Sequence, residues 1–266
     1  MPRTSQLAYR QKVDYAVHSV ENALDLLNAI CDEGGEARIS QLCKRLGMSK
    51  TSVFRLLATF ENRGFVERSD DSVKYRLGMS ACEMGQKIIA RMGVLRKARP
   101  IMDRLARECN ESVYFVVRRN DYVLMLDLVD STQQVKIVPL VGLRFPLATT
   151  AAGRIFLSFE SDASGSSRKR TDAPGAAALT ATERESIRNL GFCIEEQGFG
   201  DGVTCVAVPL LNGKGEATAA LAILGPAYRM AKERIDNDLL PQLLEAGMTI
   251  SAGLGHLNHY LRRKTI

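Results

Sequence analysis

The sequence predicts an α+β chain in two parts: a small helical unit closed by a β-hairpin, then a larger antiparallel sheet carrying helices. Three observations predict it. Over the first sixty or so residues apolar side chains recur at helical spacing, punctuated by glycines. Beyond residue 110 they gather into short, strand-length runs separated by turn residues. The chain has 266 residues and is 45% apolar, enough for one large domain or two ordinary ones without disulfide or metal support.

The first helix follows from Val20, Ala23, Leu24, Leu27 and Ile30, with Ser19 as N-cap and Gly34-Gly35 as its end. A second, over residues 40–46, starts on a capping Ser40 and stops at Gly47, suited to the left-handed closing residue. Ser49 caps a third, whose apolar stripe is Val53, Leu56, Leu57 and Phe60 and whose stop is Gly64. Helix, short glycine turn, helix is the spacing of a helix-turn-helix. With that stripe inward, the 100° step turns Thr51 and Arg55 outward, flanked by Ser49, Lys50 and Ser52 near the helix start. Major-groove readers carry such donor-rich side chains there: Arg can grip guanine with two bonds, and hydroxyls and Lys can take phosphates or base edges.

Residues 65–68 and 73–77 alternate as strands around the turn Ser69-Asp70-Asp71-Ser72, which makes a wing. Arg68, Lys74 and Arg76 are its candidate phosphate contacts; a hairpin for protein contacts is the alternative. Net charge is +6, and residues 38–68 hold seven bases (Arg38, Lys44, Arg45, Lys50, Arg55, Arg63, Arg68) against Glu61 and Glu67. A polyanion-facing surface and a solvated helical face both fit that excess.

Residues 80–92 predict a linker helix through Ala81, Met84, Ile88 and Ile89. Helix resumes near Gly93, and Pro100 should kink it or open a new first turn. Strands follow at 112–117, 122–129 and 134–139, and a short helix at 149–159. The stretch 161–177, rich in Ser, Gly and Ala, reads as a mobile insertion; its Arg168-Lys169-Arg170 cluster is either a DNA contact or a solvated loop. A helix at 182–190, strands at 192–196, 204–211 and 216–224, and a long final helix over 229–262 complete an α+β domain. Domain bounds are therefore 1–78, a linker 79–94, and 95–266.

Several function classes fall away. No apolar run approaches the ~18 residues of a spanning helix, and the N-terminus shows no signal peptide. Six scattered cysteines without a C-x-x-C pair fit reduced thiols in the cytoplasm, with no metal site, cofactor or disulfide framework. His occurs only at 18, 256 and 259, so the middle of the chain lacks an imidazole for acid–base catalysis; no catalytic residues are expected.

The segments SVENALDLLNAI, ISQLCKRLGMSKTSVFRLLATFENRGFVER and YRLG resemble the winged helix-turn-helix of the IclR family of bacterial transcriptional regulators. RPIMDRLARECNESVYFVV, PLVGLRFPLATTAAGR, LGFCIEEQGFGDGVTCVAVPL and AALAILGPAYRM resemble that family's effector-binding domain, in order and over nearly the whole chain. The resemblance implies a GAF-like sheet that binds a small organic acid, and a homodimer or tetramer on a near-palindromic double-stranded operator. It places Ser49, Lys50, Thr51, Ser52 and Arg55 on the DNA-reading helix. It places Ala151, Ala152 and Gly153 where backbone N–H groups take the effector carboxylate, Glu195 where an acidic residue orients the ligand, and Thr204 and Cys205 on the next strand. The small residues at 150–153 fit a tight helix–sheet contact equally well. Ala222 and Leu224 stand where the family commonly carries two hydroxyls, which implies a more apolar pocket and an effector with an aromatic or aliphatic body. The competing reading is a thiol sensor or redox enzyme using Cys193 and Cys205, and a third is an interaction module that no longer reads DNA.

Overall fold

The computed structural model describes residues 16–69, 73–160, 179–196 and 198–256. The chain divides into two compact units, Met1–Arg91 and Met92–Ile266. The expected insertion at 161–177 with its basic cluster, the hairpin turn at 70–72 and the chain beyond 256 lie outside the described residues.

In the first unit α1 (His18–Asp32), α2 (Ile39–Leu46) and α3 (Lys50–Asn62) pack around Leu26, Ile30, Leu42, Val53 and Leu57, all fully buried. Gly47 closes α2 at φ +67°, as expected. The α1 stripe is rotated from the expected one. Leu26, Ala29 and Ile30 face inward, whereas Val20 and Leu24 are exposed. The cap is Val17, not Ser19, and gives no side-chain hydrogen bond. Ser40 does not cap α2 either, because the helix already starts at Ile39 and the Arg38 N–H donates to Gln41 Oε1 at 2.8 Å.

A strand absent from the sequence reading, β1 (Glu36–Arg38), joins β2 (Val66–Arg68) and β3 (Lys74–Leu77) in a three-stranded antiparallel sheet of order β1-β3-β2. Three residues are too few to show a period. The wing root is tight. Gly64 adopts φ +71°, and a Cβ on Gly78 would lie 2.2 Å from the Gly64 carbonyl oxygen. Gly78 N–H donates to Phe65 O at 2.8 Å and Ser80 N–H to Gly64 O at 3.0 Å. Then α4 (Met79–Arg91) follows, with no buried residue.

The second unit opens with α5 (Gly93–Cys109), which runs through Pro100 without starting a new helix there. Six strands, β4 (Ser112–Arg119), β5 (Tyr122–Val129), β6 (Arg144–Pro146), β7 (Cys193–Glu195), β8 (Val203–Leu211) and β9 (Ala217–Pro226), form one antiparallel sheet of order β6-β5-β4-β9-β8-β7. The strand expected at 134–139 does not form. Val135 and Val138 are exposed there, and the β5 edge pairs with Arg144–Pro146 instead. The looping segment is tied by Lys136 to Asp130 and by the Ser131 hydroxyl to Asn110 O at 3.0 Å.

One sheet face carries α6 (Ala151–Ser158), against which α7 (Ala181–Leu190) packs. The other carries α5 and the C-terminal helix. That helix is shorter and more broken than expected: α8 (Lys232–Arg234), a π turn (Ile235–Leu239), then α9 (Leu240–Gly253), which ends before Gly255 at φ +92°. The π turn precedes Pro241, whose missing N–H and bulky ring disfavour regular α geometry against the preceding turn.

Buried Glu111, just past α5, accepts from Arg229 Nε and Nη2 and from Arg234 Nη1, each at 2.8 Å. Burial pushes its carboxyl up, but those arginines outweigh it and hold it below the ordinary carboxylate range.

Candidate functional site

The outward face of α3 is built from its cap upward. Ser49 Oγ accepts the Ser52 N–H at 3.1 Å and lies 2.9 Å from Ser52 Oγ, so both hydroxyls help fix the helix start. Burial of Val53 and Leu57 turns Lys50, Thr51, Ser52 and Arg55 into solvent. Phe54 joins them half-exposed, an apolar surface that faces bases as readily as water. Lys50 and Arg55 form no ion pair among the described residues, so their charge is available to a polyanion.

The wing cations differ. Lys74 Nζ lies 3.2 Å from Glu36, and Arg76 3.3 Å from Glu67. Arg68 donates to the Tyr75 hydroxyl at 2.7 Å. Lys74 also holds the Glu36 carboxyl below its usual range. Of the three cations expected on the wing, Lys74 and Arg76 are thus balanced by carboxylates of their own sheet.

The second candidate site lies under α6. Register places Cys205 opposite Leu224, Ala207 opposite Ala222, and Ala222 opposite Tyr114. These side chains share one face, and with Ala151 and Ala152 they form a buried cluster. Leu140, Phe145 and Phe199 pack over it, the two rings edge to face with centroids 4.7 Å apart. Thr150 caps α6 by accepting the Gly153 N–H at 3.1 Å. Gly153 has a steric duty as well, since a Cβ there would meet Leu147 O at 2.0 Å. The close approach at Gly153 is thus to the turn before α6 and not to the sheet, and its N–H is already engaged. Glu195 is half-buried and accepts the Gly198 N–H.

Thr204 is not brought to this group. As the neighbour of Cys205 on one strand it points to the opposite face. There it lines a separate cleft of about 520 Å³ with Asp201, Met230 and Lys232. Tyr114, Leu140, Phe145 and Phe199 are members of this cluster that sequence reasoning missed, because only the strand register and loop closure assemble them.

Residues 86–252 match the family described as bacterial transcriptional regulator IclR, C-terminal, and residues 19–70 match the IclR helix-turn-helix domain. The chain belongs to the IclR family of transcriptional regulators. It is similar to the HTH-type transcriptional regulator KdgR of Escherichia coli K12, 28% identical over 249 residues that cover 91% of this chain and 94% of that protein. Its fold matches an IclR transcriptional regulator from Alicyclobacillus acidocaldarius with a TM-score of 0.76 at 24% identity, over 90% of this chain and 99% of the other. An IclR homolog from Microbacterium hydrocarbonoxydans, solved with 4-hydroxybenzoate, matches with a TM-score of 0.67 at 22% identity, over 89% and 97% of the chains.

The two IclR parts make this chain a DNA-binding transcriptional regulator with an effector-binding C-terminal domain. Its thiols are poorly suited to the competing redox chemistry. Burial pushes Cys193 up to about 11 and Cys205 well above its ordinary value, outweighing the nearby Arg154 charge at Cys193. At a pKa of about 11, roughly one thiol in ten thousand is ionised at neutral pH. Among the described residues no helix is long and apolar enough to cross a membrane.

Proposed function

We propose that this protein regulates transcription from the cytoplasm, without catalysis or a cofactor, by binding a near-palindromic operator under the control of a small organic acid. Lys50, Thr51, Ser52 and Arg55 read the DNA, with Ser49 fixing the helix start and Lys74 and Arg76 as weaker backbone contacts. The acid group sits at the start of α6, where the helix dipole and the Ala151 and Ala152 N–H groups favour an anion. Glu195 bounds the other side. The ligand body lies over Cys205, Ala222 and Leu224.

The observation that carries the effector class is the apolar character of that face: Leu224 is buried opposite Cys205 and Ala222 opposite Ala207, and neither offers a hydroxyl. Such a surface favours an aromatic or aliphatic body over a compact, water-loving acid. The 4-hydroxybenzoate bound to the Microbacterium homolog is an acid of that kind.

Pairing of copies is supported by apolar side chains left in solvent on the first unit. Val17, Val20 and Leu24 are exposed at and along α1, and Met84 and Ile88 along α4. Two copies would present two reading helices to half-sites, as a dimer or as a tetramer of two such pairs. An effector coupling of ~1–3 kcal/mol shifts operator affinity roughly 5–150-fold.

Fluorescence anisotropy with the DNA adjoining its own gene, with and without a panel of acids, tests this reading. Sequence-dependent binding that shifts with 4-hydroxybenzoate or phenylacetate more than with pyruvate or glyoxylate is the expected result. Equal calorimetric affinity for glyoxylate and the bulkier acids sinks the effector class.

A further inference from the structure

Tyr114 puts a polar group into the apolar site from an unexpected strand. It lies on β4 directly across from Ala222, a position without a hydroxyl, and it is fully buried. It belongs to the cluster with Ala151, Ala152, Cys205, Ala222 and Leu224. A tyrosine reaches farther from its strand than a serine, so its oxygen stands above the floor, where the Leu140 N–H donates to it at 3.3 Å.

That bond uses only half of what a phenol offers. A tyrosine hydroxyl accepts and donates. Among the described residues nothing accepts from the Tyr114 O–H. A buried donor without an acceptor is costly, and a ligand oxygen placed against it removes that cost. Burial also pushes the phenol upward from its ordinary value, which keeps the proton on at neutral pH.

We propose that Tyr114 is a specificity-determining residue of the effector site, its O–H donating to a second oxygen of the ligand, a hydroxyl or carbonyl remote from the carboxylate. This rests on the effector reading above and narrows it. The effector is then bifunctional: an acid group at the start of α6, an apolar middle over Cys205, Ala222 and Leu224, and an oxygen at Tyr114. Unsubstituted acids of the same size fill the site but leave the phenol donor unanswered.

The test is calorimetry on the full chain and on Tyr114→Phe, which removes one oxygen and keeps the ring. The probes are matched pairs: 4-hydroxybenzoate with 4-methylbenzoate, and 6-hydroxyhexanoate with heptanoate. The wild type should prefer the hydroxylated member of at least one pair by roughly 3–10-fold, the worth of one neutral hydrogen bond. In Tyr114→Phe that preference should vanish, with the methyl or unsubstituted member bound as before.

A purely structural role for Tyr114 weakens both members together and leaves their ratio unchanged, which overturns the proposal. A wild type that binds each methyl or unsubstituted member at least as tightly as its partner overturns it without any variant, so the test survives a Tyr114→Phe protein that does not fold. A wild type that binds none of the four acids overturns the effector reading itself, whereas binding with an unaltered ratio in the variant overturns only the role of Tyr114.

Discussion

The outward face of α3 and the face beneath α6, the two surfaces proposed for recognition, are built in opposite ways. On α3 two buried anchors, Val53 and Leu57, hold a surface of hydroxyls and charges in water, and Lys50 and Arg55 stay unpaired among the described residues. Beneath α6 the surface is apolar and buried, and polarity enters at a helix start, one phenol and one carboxylate. The contrast follows from the ligands. A polyanion carries a dense array of charges and releases counterions, so exposed cations suffice. A single small acid must be taken from water, which requires a dry site with few, placed donors.

Substitutions at five positions break or sharpen that contrast. The largest effect is expected from Leu57→Ala, which empties a fully buried position and costs about 2–5 kcal/mol. Operator binding should collapse while calorimetric binding of acids survives; simultaneous loss of both would show that the two units do not fold separately. Next is Glu111→Ala, at about 3 kcal/mol, because it strips the buried partner from Arg229 and Arg234. Its folded-state carboxyl is held low, so its contribution is present above the unfolded value of about 4.3 and is lost as pH falls through the depressed one. Protection factors in β4 and α9, taken relative to the intrinsic exchange rate at each pH, should fall on acidification in wild type and be less acid-dependent in Glu111→Gln.

Arg55→Ala should cost about 1–3 kcal/mol of operator affinity and relax sequence preference, as read by anisotropy against scrambled DNA. Lys74→Gln or Arg76→Gln should cost under about 1 kcal/mol and barely alter the salt slope, because each cation already faces Glu36 or Glu67. A salt slope that falls by a full unit in either variant would show that the wing leaves its carboxylates for phosphate. The thiols give a separate check. Alkylation at neutral pH followed by mass spectrometry should mark exposed Cys82 well before Cys193 or Cys205.

The legibility of the two sites differs for the same reason their construction does. The α3 surface was readable because a helix encodes its faces locally: Ser49, Val53 and Leu57 lie within nine residues and determine which way Thr51 and Arg55 point. The second site takes Tyr114, Ala151, Cys205 and Ala222 from segments far apart in sequence, and only strand register makes neighbours of them. Thr204 shows the hazard at its smallest scale, one residue from Cys205 yet on the other face. The misplaced strand at 134–139 had β-branched residues and alternation, but the β5 edge beside it is taken by Arg144–Pro146. The α1 stripe went astray because that helix has two apolar faces, and only one meets the core.

The close approach of Gly78 to Gly64 has a mechanical consequence. The turn that ends α3 and the turn that begins α4 meet backbone against backbone at Gly64 and Gly78 and are tied by two backbone hydrogen bonds. A push on α4 therefore reaches the end of α3 through stiff peptide planes, as torque through a welded joint. The gain of that lever is set by two residues that have no side chains at all.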